Sequence, residues 1–126
     1  SLLEHALKTQ LPIFGVCRRF QLINTYYKGL NTQINGHVAK SHIVNFTGVG
    51  KKIYGPKQKV NSFHRLGTKP DDLGHGLTPI AYDQNGWVEG FCKPEKRIAA
   101  VMWHPERTGA PKGDRILVET LCRQKL

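Results

Sequence analysis

The stretch that decides the fold spans residues 11 to 21 and reads Leu11-Pro12-Ile13-Phe14-Gly15-Val16-Cys17-Arg18-Arg19-Phe20-Gln21. Its first six residues are apolar without alternation, which is typical of a strand buried on both faces, and a proline is tolerated where such a strand begins. After Cys17 the apolar side chains recur at helical spacings of three and four, at Phe20, Ile23 and Tyr27, and Gly29 follows as a stop signal. The stretch predicts a buried strand, a sharp turn and a helix.

The residues before this stretch extend the pattern. Apolar side chains at helical spacing predict a short helix ahead of the strand: Leu2, Leu3, Ala6 and Leu7. A parallel strand needs a neighbour joined to it through a crossover helix, and here the helix is present while a strand before it is absent. We therefore expect an α/β domain whose first β-α units are missing, with residues 11–16 forming a central parallel strand.

Short β-like runs dominate the chain after Gly36: His37–Phe46, Lys59–His64, Leu77–Tyr82, Trp87–Phe91 and Arg97–Trp103. Asn85-Gly86, the strongest short-range hairpin signal, predicts a hairpin that joins Tyr82 to Trp87. A final helix is predicted after Gly113-Asp114, and its expected apolar face consists of Ile116, Leu117, Leu121 and Cys122.

The composition indicates one globular domain: 126 residues, of which 39% are hydrophobic. The longest apolar runs fall far below the ~18 residues that cross a bilayer, and the N-terminus has no basic-then-apolar signal pattern. We therefore expect a cytoplasmic protein without a membrane association. The cysteines, Cys17, Cys92 and Cys122, form no C-x-x-C pair, which argues against a disulfide scaffold and a structural zinc site. We expect neither a metal nor a cofactor.

The net charge of +10 would suit a binder of nucleic acid or of anionic metabolites. The densest basic stretch, residues 51–59, contains four lysines, and the other basic residues are scattered. No groove-reading helix or stacking platform is visible, so the sequence favours an anionic small molecule over nucleic acid as the partner.

Cys17 is a candidate nucleophile because of its place between a buried strand and a helix. A sharp strand-to-helix turn exposes its side chain at the carboxyl edge of the sheet, as in the nucleophile elbow of hydrolases. The helix N-terminus stabilises a thiolate, and amides at the turn can bind an oxyanion. The alternative is a buried cysteine that packs as a small hydrophobe.

A thiolate needs a base, and His104 follows the apolar run Val101-Met102-Trp103. Glu106 lies two residues further on, and residues i and i+2 of an extended chain point the same way. Glu106 can thus orient one imidazole nitrogen and leave the other for Cys17, which is the arrangement of a catalytic triad. The alternative is an exposed polar pair at the exit of a strand.

Four segments follow one another along the chain: Pro12–Gln21, Val60–His64, Val88–Phe91 and Met102–Glu106. Together they resemble the successive motifs of class I glutamine amidotransferases, and most closely the γ-glutamyl hydrolase branch, the peptidase C26 family. The resemblance implies a flavodoxin-like α/β sheet with flanking helices, of which residues 1–126 form a partial domain. It also implies cleavage of the amide bond of a γ-glutamyl substrate through a thioester.

Carried over residue by residue, the resemblance makes Cys17 the nucleophile, His104 the base and Glu106 its orienter. The amide of Arg18 would be the retained oxyanion donor. The residues expected to contact the glutamyl group are Gln21, Asn61, Ser62, Phe63 and His64. For His64, a solvent-facing histidine at a strand end is an equal alternative.

Within the family, residues 36–42 resemble the branch that hydrolyses γ-glutamyl-CDP-amidate in bacterial capsule phosphoramidate synthesis. Two alternatives stay open: a glutaminase subunit that delivers ammonia to a synthase partner, and a non-catalytic remnant or binding module. The second follows from two departures. Arg19 replaces the last glycine of the family's Gly-x-Cys-x-Gly pattern, and the missing β-α units would supply a second oxyanion amide.

Overall fold

A computed structural model describes residues 2–33, 38–63, 66–104 and 113–123, with the backbone alone for residues 2, 38–40, 62 and 63. The helices of this part are α1 (Leu2–Lys8), α2 (Arg18–Tyr26), α3 (Gly48–Tyr54) and α4 (Gly113–Cys122), with short 3-10 helices at Pro70–Asp72 and Pro94–Lys96. The strands are β1 (Ile13–Val16), β2 (Thr32–Gln33), β3 (Val38–Phe46), β4 (Lys57–Phe63), β5 (Leu66–Gly67), β6 (Thr78–Asp83), β7 (Val88–Lys93) and β8 (Ile98–Val101).

The main sheet has the strand order β1-β8-β7-β6-β3-β4, and β2 and β5 form a separate antiparallel ribbon. β1 and β8 are parallel, with Val16 opposite Val101, whereas the other neighbouring strands of the sheet are antiparallel. The predicted parallel strand is therefore confirmed, but it lies at the edge of the described sheet and not at its centre.

Helices cover both faces of β1 and explain why its sequence resembles that of a central strand. Ile13 belongs to the apolar cluster of α2, whereas Phe14 and Val16 pack against the cluster that includes Leu117 and Leu121 of α4. Alternate side chains are thus covered by different helices, and no position along the strand needs to be polar. A continuous apolar run indicates that both faces of a strand are covered, but it does not indicate whether both edges of that strand are paired with other strands.

The core is divided by the sheet into two clusters. The α2 side contains Phe20, Ile23, Leu77, Val88, Phe91, Ile98, Ala100 and Met102. The α3 and α4 side contains Val44, Phe46, Tyr54, Val60, Ile80, Ala81, Cys92, Ala99, Val101, Trp103, Leu117 and Leu121. Side chains of β8 alternate between the two clusters, so this strand is buried on both faces.

The predicted hairpin between β6 and β7 is confirmed. Gly86 has a φ of +87°, and the Asp83 N–H donates to the Trp87 carbonyl at 2.9 Å. The Asp83 carboxylate accepts from the N–H groups of Asn85 and Trp87, each at 2.9 Å, so a buried side chain stabilises the turn.

The helices α3 and α4 depart from expectation. α3 was not expected, because Gly48-Val49-Gly50 has a low helix propensity. A side chain on Gly50 would overlap the Ile80 carbonyl, so close packing explains this glycine. The expected apolar face of α4 is confirmed for Leu117 and Leu121 and wrong for Ile116 and Cys122, which are exposed.

The sheet curls strongly, and the curl brings distant strands to one place. β4 is four strands away from β8, about 19 Å on a flat sheet, yet Asn61 of β4 bonds to His104 just beyond β8. β3 pairs with β6 only over Val44–Phe46, and its first half pairs with β4 alone. The β3–β4 pair therefore bends back towards the carboxyl edge of β8.

Candidate active site

Cys17 occupies the turn between β1 and α2, and its backbone is strained. Its φ of 51° and ψ of −98° lie in a region that a residue with a side chain rarely adopts. The Cys17 N–H donates to the Val101 carbonyl at 2.9 Å, and the Cys17 carbonyl accepts from the Gln21 N–H at 3.2 Å. A half-buried cysteine at a strained strand-to-helix turn has the geometry of a nucleophile elbow.

The elbow requires α2 to lie close to β1, and Gly15 allows this approach. A Cβ on Gly15 would lie 2.8 Å from Ile23 Cδ1 and 3.3 Å from the Arg19 carbonyl carbon. Arg19 itself is exposed and is not among the residues with a positive φ. Its side chain therefore takes no space between the helix and the sheet, and the close contact falls on Gly15.

Arg18 and Gln21 flank the turn on the helical side. Arg18 is the first residue of α2 and has an exposed side chain. Because the first N–H groups of a helix have no intrahelical partner, the Arg18 amide belongs to a set that can bind an anion. Gln21 is half-buried one turn later, which suits a residue that contacts a substrate beside Cys17.

His104 lies beside this turn at the end of the neighbouring strand. The register that pairs Val16 with Val101 places Cys17 and the residues after Val101 at the same carboxyl edge of the sheet. Trp103, fully buried, precedes His104, which is half-buried. The sequence predicts a position at the carboxyl end of a buried strand for each of the two residues, and the register of β1 and β8 makes those strands neighbours.

Asn61 bonds to the main chain of His104 on both sides. The His104 N–H donates to Asn61 Oδ1 at 2.8 Å, and Asn61 Nδ2 donates to the His104 carbonyl at 3.0 Å. Asn61 is only 5% exposed. Sequence reasoning expected this residue at the substrate and did not foresee the bonds to His104, because they join strands far apart in the sheet order.

A buried carboxylate fixes the residue before His104. Trp103 Nε1 donates to Asp114 at 2.9 Å and 3.0 Å, and the Tyr54 hydroxyl donates to the same carboxylate at 2.6 Å. Tyr54 also stacks on Phe46 with ring centroids 4.4 Å apart. α3, α4 and the end of β8 are thereby joined through one acceptor.

The environment of this carboxylate disfavours its charge. Burial raises the pKa of Asp114 from the usual 3.8, while the hydrogen bonds from Tyr54 and Trp103 oppose the rise. Burial also raises the pKa of Tyr54, and the neighbouring Asp114 charge adds to that effect. Tyr54 is therefore a neutral donor, and Asp114 has a structural rather than a nucleophilic environment.

A second histidine–carboxylate pair lies near the same edge and was not expected. His42 Nε2 lies 2.8 Å from Glu89 Oε1, and Glu89 is 1% exposed. The Glu89 carbonyl accepts from the Met102 N–H at 2.9 Å, which links the pair to the residues before His104. A glutamate inside the apolar run Val88–Phe91 is the sequence signal that could have indicated a buried, paired charge.

Several predicted site residues cannot be placed. Glu106 and His64 lie outside the described residues, and for Ser62 and Phe63 the structure gives only their position at the end of β4. Of the expected Cys17–His104–Glu106 triad, the structure therefore describes Cys17 and His104 but not Glu106.

Cys92 differs from Cys17 in chemistry. Burial, assisted by the negative charge of Glu95, raises the pKa of Cys92 to about 11, so its thiolate is scarce near neutral pH. Within residues 2–33, 38–63, 66–104 and 113–123, no group of three or more His, Cys, Asp or Glu could hold a metal ion. No helix in the same ranges is long and apolar enough to cross a membrane.

Comparison with known proteins identifies related sequences. The peptidase C26 family matches residues 1–106. A glutamine amidotransferase-like protein of Lactococcus lactis, YvdE, is 35% identical over 84% of this chain and 50% of its own length. The γ-glutamyl-CDP-amidate hydrolase of Campylobacter jejuni is 28% identical over 94% of this chain and 54% of its own length. The chain thus spans about half the length of these relatives.

The fold also matches solved structures. A crystal structure of a glutamine amidotransferase from Thermotoga maritima aligns with a TM-score of 0.69 at 18% identity, and the alignment covers 98% of this chain and 60% of that protein. A GMP synthase component from Thermoplasma acidophilum aligns with a TM-score of 0.74 at 21% identity, over 89% of this chain and 57% of that protein. The α/β architecture expected from the sequence is thereby confirmed as a class I glutamine amidotransferase fold.

Proposed function

Because the chain belongs to the peptidase C26 family, we propose that it hydrolyses the side-chain amide of a glutamine-like or γ-glutamyl substrate, with Cys17 as the nucleophile. The observation that carries this proposal is the strained Cys17 turn at the carboxyl end of β1, beside β8, which His104 follows by three residues. Backbone strain of this kind clusters at active sites and ligand-binding sites.

The proposed reaction has two halves. The Cys17 thiol passes its proton to the His104 imidazole, and the thiolate Sγ then forms a bond to the amide carbon while the Arg18 N–H stabilises the oxyanion. His104 then protonates the departing nitrogen as the C–N bond breaks, which leaves a thioester on Cys17. Water attacks the thioester with its proton passing to His104, and the C–S bond breaks to release the glutamyl carboxylate and restore the thiol.

The remaining roles follow from the family resemblance. Glu106 would orient His104, and the residues expected at the glutamyl group are Gln21, Asn61, Ser62, Phe63 and His64. Contact between the glutamyl group and Gln21, Ser62 or Phe63 is feasible. Gln21 follows Cys17 by one helical turn, and the end of β4 lies near His104. A glutaminase that serves a synthase would use the same residues and would differ in the fate of the released ammonia.

Charge favours an anionic substrate. Four exposed lysines lie on α3 and β4: Lys51, Lys52, Lys57 and Lys59. Lys59 is two residues from Asn61 and so lies on the same face of β4. The positive field of these lysines would attract an anionic γ-glutamyl compound, such as the substrate named for the Campylobacter relative.

The direct test measures glutamate release from glutamine and from larger γ-glutamyl amides by the full-length protein. Cys17→Ala should abolish turnover, leaving at most the residual catalysis of binding alone, a loss of about 10⁴-fold or more. Cys122→Ala is the matched control, since this exposed cysteine lies at the end of α4, and it should retain full activity. Equal glutamate release by the Cys17→Ala variant and the wild type would refute the proposal.

A further inference from the structure

We infer that Asn61 is a positioning residue for the base: its side-chain amide fixes the main chain of His104 and so aims the imidazole at Cys17. This inference rests on the proposed function and assigns to Asn61 a task different from substrate contact. The relevant contacts are the two hydrogen bonds of 2.8 Å and 3.0 Å between the Asn61 amide and the His104 main chain.

His104 needs such a partner because the strand ladder ends before it. The Val101 carbonyl accepts from the Cys17 N–H, and the Met102 N–H donates to the Glu89 carbonyl, so these residues are bound by neighbouring strands. β8 ends at Val101. Beyond it, the Asn61 amide exchanges both an N–H and a C=O bond with His104, as an antiparallel strand partner would.

Both hydrogen bonds of the Asn61 amide are made to His104, and together they fix the orientation of that residue. Binding the N–H and the carbonyl of His104 together restrains the peptide groups on both sides of its Cα, and thereby the direction of its Cβ. Catalysis by a base requires the reacting atoms to lie within about 3–3.5 Å in an aligned geometry, and a displacement of about 1 Å can cost 10²-fold in rate. The two hydrogen bonds from Asn61 to the main chain of His104 limit such a displacement of its imidazole.

Asn61 is itself held rigidly. It lies in β4, where Ser41 of β3 is its register partner, and it is 5% exposed. Its burial removes competition from water for the two bonds, and an unsatisfied buried amide would be costly. The two hydrogen bonds therefore fix the position of His104 relative to the β3–β4 pair.

The test compares Asn61→Ala with Asn61→Leu, which keeps most of the volume but forms neither hydrogen bond. Asn24→Ala is the matched control. Asn24 is also a buried asparagine that joins two main-chain segments, accepting from the Gly74 N–H at 2.7 Å and donating to the Leu30 carbonyl at 3.1 Å. It lies near the end of α2, away from His104.

The readout is the rate at which iodoacetamide alkylates Cys17 as a function of pH, since a thiolate paired with an imidazolium reacts well below the ordinary thiol pKa of about 8.5. In both Asn61 variants the rate at about pH 6 should fall about 10-fold or more, with less than about a twofold change at about pH 9. kcat should fall by a similar factor while KM changes little. Asn24→Ala should lower the urea midpoint but keep the wild-type pH profile.

The outcomes separate the two proposals. A wild-type profile with the pH dependence of an isolated thiol would overturn both, because His104 would then not be paired with Cys17. A wild-type profile that shows the pair, together with an unchanged profile and kcat in a folded Asn61→Leu variant, would overturn the positioning role alone. Loss of the low-pH reactivity in Asn61→Leu but not in Asn24→Ala would support it.

Discussion

At the residue scale, Gly15 and Cys17 each meet one requirement of the turn between β1 and α2. Cys17 adopts the positive φ of 51°, and Gly15 removes the Cβ that would meet Ile23 and the Arg19 main chain. The sequence predicted the turn at Cys17 because a continuous apolar run followed by helical spacing is a local signal. Arg19 has an exposed side chain, and the close contact between α2 and β1 falls on Gly15 instead.

Gly15→Ala tests the steric part of this argument. The new methyl group would lie 2.8 Å from Ile23 Cδ1, so the variant should lose about 1–3 kcal/mol of unfolding free energy. Ile23→Val removes the clashing atom, and the double variant should therefore be more stable than the sum of the single changes. Urea unfolding of the four proteins measures the coupling, and strict additivity would contradict the close contact.

Asn61 shows what a local reading cannot supply. The motif Asn61-Ser62-Phe63 resembles a substrate-binding motif of the family, and the resemblance implies substrate contact for Asn61. The partner of its side chain is the main chain of His104, 43 positions later. A contact of this separation depends on the curl of the sheet, which residue spacing does not encode.

At the element scale, α3 and α4 meet the end of β8 through one buried carboxylate. Asp114 accepts from Tyr54 of α3 and from Trp103, which follows β8. The sequence predicted α4 but not α3, because two glycines make the first turn of α3 a poor helix former. Close packing of Gly50 against Ile80 compensates for that low propensity.

Asp114→Asn tests the charge of this junction. Because burial raises the pKa of Asp114 above 3.8, the folded state favours the protonated carboxyl, and its contribution to stability is lost as the pH rises through the raised pKa. The stability of Asp114→Asn relative to the wild type should therefore improve as the pH rises from below 3.8 to above the raised pKa of Asp114. Urea midpoints of both proteins across the acidic range measure the difference. A relative stability that falls with rising pH would contradict the direction of the shift.

At the scale of the whole molecule, the curled sheet is the feature that assembles the candidate site. Cys17 and His104 come from the parallel pair β1 and β8, and Asn61 comes from the far edge of the same sheet. The His42–Glu89 pair likewise joins β3 to β7 across the intervening β6. The sequence predicted most strands from short β-like runs and the hairpin from Asn85-Gly86, but not the order of the strands across the sheet, which depends on long-range packing.

The central claim is that Cys17 forms a thioester with a γ-glutamyl group, and acid quenching during turnover tests it most directly. Mass spectrometry of the quenched protein should find one γ-glutamyl group on the peptide that contains Cys17, and none on the peptide that contains Cys122. Turnover of the substrate by a Cys17→Ala variant, or steady-state turnover with the γ-glutamyl group on another residue, would contradict the account.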